Sequence, residues 1–198
     1  MVVNGWTVYA HPLFLIQLEA IILQVEGLKQ KDALGFTKKN VSKRLAAIAK
    51  LAFDVIPQGP SRTEYRQGNT LGEDYKHWFR AKFFQQYRLF FRYHAPSKLI
   101  VYAWVNDADA KRAYEGSNDA YRVFRKMREG GHPPDGWNQL LTEARIESDR
   151  LRRIAAGVAQ ECFRSFSVPA TDTVNGIIMP SAKCGAPDLV SGMKQTTK

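Results

Sequence analysis

Apolar residues recur at helical spacing near the start of the chain. Pro12 suits a first helical turn, which has no use for its missing N–H. Leu15, Leu18, Ile22 and Val25 then fall on one side up to Gly27, predicting a helix over 12–27. A second stripe, Val41, Leu45, Ile48, Leu51 and Val55, predicts another helix from Thr37 to the stop at Ile56-Pro57-Gln58-Gly59-Pro60. The short polar connection implies an antiparallel helical hairpin.

The period then changes. Glu64–Thr70 reads as a short strand, with Gly68 and Gly72 marking turns. Trp78–Phe84 and Tyr87–Tyr93 are dense in β-formers, and Leu99–Val105 is a nearly unbroken apolar run. These predict antiparallel strands joined by Gln85-Gln86 and Ala95-Pro96-Ser97. Asn106-Asp107 should end the last strand and cap a short helix over 108–114. Helices follow over 119–129 and 137–159, separated by Gly130-Gly131-His132-Pro133-Pro134. Beyond Phe163 the chain turns to Ser, Thr, Pro and Gly, a composition too poor in large apolar groups to build a core. The fold class expected is α+β: an N-terminal helical hairpin packed on a small antiparallel sheet, with C-terminal helices. Residues 1–147 make the domain, 148–163 a helical continuation, and 164–198 a tail expected to be disordered.

Alternation along the strands separates two sides. Phe79, Ala81 and Phe83 share one with Tyr87, Leu89, Phe91 and Tyr93. Trp78, Arg80, Lys82 and Phe84 share the other with Arg88, Phe90 and Arg92. A two-residue turn would set Lys82 beside Leu89. A three-residue turn over 84–86 sets it opposite Arg88 and aligns the apolar sides, and burial fixes register strongly. We therefore expect the three-residue turn, although no glycine is there to ease it. Like charges opposite one another destabilise a sheet, and no Asp or Glu occurs between Tyr75 and Val105. Such a surface suits an anion. Guanidinium forks match phosphate oxygens, and the interleaved rings offer platforms for unstacked bases.

Net charge of +10 favours the same class of partner. Cys162 and Cys184 form neither a disulfide framework nor a metal motif, which fits a reducing cytoplasm. The histidines lack metal-ligand spacing, and no metal or cofactor is expected. The run 13–25 is broken by Gln17, Glu19 and Gln24, so no membrane span is expected. No Ser/His/Asp set or phosphate-cradling glycine loop is present.

The segments VNGWTVYAHPLF (3–14), RQGNTLG (66–72), RAKF (80–83), YRLFFRY (87–93), AWVNDAD (103–109), DAYRVFRKM (119–127) and GHPPDGW (131–137) occur in this order. Together they resemble the YhaV family, ribonuclease toxins of type II toxin–antitoxin modules within the RelE-like superfamily. The resemblance implies two helices on an antiparallel sheet and metal-independent mRNA cleavage, possible on or off the ribosome. It also implies a cognate PrlF-like, AbrB-type antitoxin, through which alone operator DNA would be bound. RNA carries its own nucleophile, the 2′-OH, so an enzyme has to align it, move protons and stabilise the phosphorane. We expect Arg80, Lys82 and Arg88 at the scissile phosphate, with Tyr121 and His132 as acid–base candidates. Arg66, Lys76, Arg92, Asn106 and Tyr87 are expected RNA contacts. The rival reading is a non-catalytic RNA- or ribosome-binding module using the same surface.

Overall fold

A computed structural model describes residues 1–68, 70–107 and 119–165, the side chains of 159–165 excepted. The expected helix over 108–114 and the tail beyond Ser165 lie outside the described residues. The chain opens with a hairpin the hydrophobic pattern did not announce: Val2–Val3 (β1) and Trp6–Ala10 (β2). Its turn is Asn4-Gly5, with φ of 47° and 77°. That left-handed pair is what a two-residue turn needs to match strand twist.

Pro12–Lys31 (α1) follows, then Asn40–Lys50 (α2), whose last turns widen over Leu51–Val55 and tighten over Ile56–Gln58. Helix α1 runs past Gly27. Leu28 still packs on the core, and the chain turns only at Asp32, whose carboxylate accepts the Gly35 N–H at 2.8 Å. The expected strand over 64–70 is instead a tight helical turn at Thr63–Tyr65 and a single bridge from Arg66 to Phe79. Phe79–Phe83 (β3), Tyr87–His94 (β4) and Leu99–Val105 (β5) then form as the alternation required.

The sheet order is β1-β2-β5-β4-β3. Strands β3, β4 and β5 pair antiparallel, but β2 lies parallel to β5, Thr7 opposite Leu99 through Ala10 opposite Tyr102. The sheet is therefore mixed. Both its faces are covered. On one, α1 and α2 bury Phe14, Leu18, Leu45 and Ile48 against Val8, Ala81, Leu89, Phe91 and Tyr102. On the other, Ala120–Glu129 (α3) and Trp137–Ile146 (α4) bury Phe124, Leu140 and Ala144 against Trp78, Phe90, Val101 and Trp104. Double coverage explains why β5 reads as a continuous apolar run. A register shift at Phe90/Phe91 places Ala103 and Trp104 on the same side.

The helix expected over 137–159 is two helices. It breaks at Glu147, and Ser148–Ser165 (α5) begins there. The break lets the chain leave one face of the sheet for the other: α4 packs beside Phe124, whereas Leu151 and Val158 of α5 join the core under α1 and α2. Arg150 ties the extension to α1 through Glu19, at 2.8 and 2.6 Å. Among the described residues, no helix is long and apolar enough to cross a membrane.

Candidate active site

Strands β3 and β4 meet through Phe84-Gln85-Gln86, so Lys82 stands opposite Arg88 and Arg80 opposite Phe90. This is the three-residue turn the apolar faces demanded. Without glycine, Phe84 and Gln85 adopt φ of 43° and 56°. Such left-handed residues cost about 1–2 kcal/mol each. That cost is accepted to bring two cationic positions into register.

Arg80 and Arg88 do not lie open. Only 7% and 1% of their surfaces are exposed, while Lys82 faces solvent. The lid is α3. Asp119 caps this helix by accepting the Tyr121 N–H at 2.9 Å, and the Tyr121 ring meets Phe90 edge-on. The phenolic oxygen thus arrives between the arginines, accepting from Arg80 Nε at 2.7 Å and from Arg88 Nε at 3.3 Å. Arg80 Nη1 also donates to the Glu64 carbonyl at 2.8 Å. Arg88 Nη1 donates to the Gln85 and Tyr87 carbonyls, each at 2.7 Å.

Every acceptor in this set is uncharged. Among the described residues, neither arginine forms an ion pair with a carboxylate. Burying charge is expensive without a counter-charge. Two guanidiniums held by neutral dipoles thus lie beside an exposed lysine, the kind of arrangement that stabilises an anion.

The other expected residues scatter. Asn106 is fully buried rather than an open RNA contact. Its Oδ1 accepts the Arg88 backbone N–H at 2.6 Å and its Nδ2 donates to the Gln86 carbonyl, so its amide locks the start of β4. Tyr87, next to Arg88, faces the opposite side, stacked on Phe83 with centroids 5.3 Å apart. Arg66 is exposed beside the start of β3, and Lys76 is exposed and paired with Glu73. His132 is exposed and lies near His11 and Glu143.

Arg92 belongs to a different cluster. It lies between Trp78 and Trp137 and donates to the Asp135 carbonyl. Burial lowers its pKa. The Asp135 carboxylate receives His77 Nε2 at 2.8 Å, Trp78 Nε1 at 3.0 Å and Arg128 Nη2 at 2.5 Å. Burial pushes that carboxyl up, but the Trp78 and His77 bonds and the Arg128 charge outweigh it and hold it below its usual value. The cluster fastens the α3–α4 connection to β3 and β4.

Two features escaped the sequence reading. Buried His11 caps α1 through Nδ1 and bonds Glu143 through Nε2 at 2.8 Å. Its place just before Pro12 was a readable capping signal. Arg44, three residues after Val41 and four before Ile48 in the stripe of α2, is also buried and lies over Tyr87; its spacing marked it, and its charge hid it. Among the described residues, no three His, Cys, Asp or Glu side chains gather to hold a metal ion.

Comparison with known proteins finds a matching family and similar toxins. A family described as "Toxin with endonuclease activity, of toxin-antitoxin system" matches residues 8–145. "Ribonuclease toxin YhaV" of Escherichia coli strain K12 is 43% identical over 143 residues, covering 71% of this chain and 93% of that protein. "Toxin YhaV" of Escherichia coli O157:H7 matches with the same identity and coverage. No solved structure matches.

Proposed function

The chain belongs to the YhaV toxin family, and from that premise we propose that it is a metal-independent endoribonuclease cutting RNA at the β3–β4 turn. The observation that carries this reading is the pair of buried guanidiniums sharing one phenolic oxygen with no carboxylate among the described residues. In the reaction the 2′-oxygen attacks phosphorus and gives up its proton. The bond from phosphorus to O5′ breaks, and O5′ takes a proton. A 2′,3′-cyclic phosphate and a 5′-hydroxyl result.

Lys82, the exposed cation, touches the phosphate. Arg80 and Arg88 form a fixed positive floor beneath the charge that grows in the transition state, where prearranged donors act most strongly. Tyr121 orients both and is the acid–base candidate that lies with them. His132, near His11 and Glu143, is the other acid–base candidate. A cognate antitoxin of the PrlF-like, AbrB type silences the protein by covering this surface, and operator DNA is bound through that partner. The setting is cytoplasmic, and the substrate is mRNA.

The test uses the purified full chain and single-stranded RNA in EDTA. We expect 5′-hydroxyl and 2′,3′-cyclic ends, and resistance of the equivalent DNA, which lacks the 2′-OH. Lys82→Ala should slow cutting by about 10²–10³-fold, measured at a temperature where the variant is fully folded. A strict need for added metal would overturn the mechanism. RNA binding without cut ends would establish the non-catalytic module instead.

A further inference from the structure

On the face of the sheet away from Tyr121, α1, α2 and the β3–β4 turn enclose an open groove of about 760 Å³. Nothing in the proposed cleavage step uses it. At its wall lies Arg44, 6% exposed. The guanidinium carbon is 5.3 Å from the Tyr87 ring centroid, and Nη1 makes one long bond to the Tyr87 hydroxyl at 3.5 Å. Its Nε is buried with no hydrogen-bond partner. Buried polar groups are nearly always satisfied, and an orphaned guanidinium N–H calls for an acceptor.

A second observation points the same way. Helix α2 has eleven residues and begins without a side-chain cap, because the residue at its cap position is Lys39, which has no acceptor to offer. Asn40 and Val41 of its first turn line the groove, as does Lys43. A helix start concentrates free N–H groups and partial positive charge, a setting that favours an anion. Among the described residues, the acid on the lining is Asp107, which has contacts of its own.

The rest of the lining identifies what carries the anion. Phe84 reaches the rim 38% exposed, from the left-handed φ of 43°. Tyr87 is stacked on Phe83 beneath it. Gln17, Gln24 and Gln86 bring side-chain amides, each able to donate and accept. Rings for stacking, amides for base edges and a cation for phosphate form the set that reads an unpaired nucleotide. The volume lies within the roughly 300–1,000 Å³ of small-ligand sites, room for a nucleotide.

Successive strand residues point to opposite sides, so Arg88 serves the cleavage site and Tyr87 the groove. The turn between them is a saddle. We propose that an RNA strand crosses this saddle: its scissile phosphate lies at Lys82, and a flanking nucleotide drops into the groove, its phosphate on Arg44 and Lys43 and its base against Phe84 and Tyr87. This rests on the ribonuclease reading but is tested apart from cleavage.

The probe is a decamer of 2′-O-methyl RNA, which cannot be cut, carrying 4-thiouridine. Illumination with the full-length protein should cross-link the peptide containing Phe84 and Tyr87. Lys43→Gln and Gln24→Ala, both at exposed positions, should each weaken binding about 3–10-fold. Lys43→Gln should also flatten the slope of log affinity against log salt by about 0.7, the value of one lost phosphate contact on a single strand. Cross-links that avoid this peptide, together with an unchanged slope, overturn the proposal. So does a glutamate decapeptide that protects Tyr87 where the RNA does not, since the groove would then seat an acidic peptide. Should the decamer bind as described while natural RNA stays uncut, the groove stands and the enzyme reading falls.

Discussion

Replacing Tyr121 by phenylalanine deletes one oxygen and leaves two buried guanidinium N–H groups without their shared acceptor. The ring keeps its packing on Phe90, so the change isolates the hydroxyl. A buried donor left unmet costs about 1–3 kcal/mol. Arg80 loses a 2.7 Å bond and Arg88 a longer one at 3.3 Å, so the second loss is the smaller. Both arginines keep bonds to backbone carbonyls. The sum is about 2–4 kcal/mol, which for a chain of this size lowers the unfolding temperature by roughly 4–16 °C. Cleavage should fall further than stability explains. Loosened guanidiniums alone cost up to about 10²-fold through misplacement. A phenol that also moves a proton contributes about 10²–10⁴-fold and shapes the pH–rate profile. Thermal unfolding and single-turnover cleavage across pH, measured at a temperature where the variant is fully folded, separate the two. A variant that melts with the wild type and cuts at its rate would refute the shared-acceptor argument.

Other outcomes follow from the same structure. Burial holds the pKa of His11 below its ordinary 6.5 against the pull of Glu143, with His132 adding to the lowering and Glu147 opposing it. The unfolded chain therefore binds the extra proton first, and stability should decline as pH falls from about 7 through 6.5. Glu143, held low by its bond to His11 despite some burial, extends that loss below pH 4.5. His11→Gln should flatten the upper part of the decline in a series of unfolding midpoints; an unchanged slope would mean the imidazole is not buried neutral. Gln85→Gly relieves a left-handed residue at φ 56° and should stabilise by up to about 1 kcal/mol, read by urea titration; a loss would show the turn is unstrained. Ending the chain after Glu147 removes Leu151 and Val158 from the core, at about 1.5–3 kcal/mol for each side chain, and a truncated protein of full stability would contradict the packing of α5.

What could be read beforehand depended on how local its cause was. The pairing of Lys82 with Arg88 was legible because only one turn length aligns the apolar faces of β3 and β4, and the same pairing appears in the structure. The helix over 119–129 and the continuous apolar β5 were equally local. The β1–β2 hairpin was legible in principle from Asn4-Gly5, but the apolar pattern of so short a segment did not announce it. The break at Glu147 has no helix breaker to mark it, because it is imposed by the need to cover two faces of one sheet. Burial of Arg80 and Arg88 was the largest gap. Its cause is a phenol from α3 and the carbonyl of Glu64, both distant in sequence from the strands. Alternation along a strand shows which way a side chain points and is silent on what is laid over it.

The parallel pairing of β2 with β5 sets a timetable. Ribosomes deliver the amino end first, yet Thr7 cannot find its neighbour until Leu99 has been made. The arginine cradle waits longer still, for Tyr121. At about 5–20 residues per second, that leaves roughly 5–20 s between the emergence of Ala10 and that of Tyr121. During this interval the nascent polypeptide has an unfinished sheet and no assembled cleft. If the cradle is the cutting site proposed above, a cell translating this message handles an unfinished, aggregation-exposed chain before it handles a nuclease, and translation stalled before α3 releases only the former.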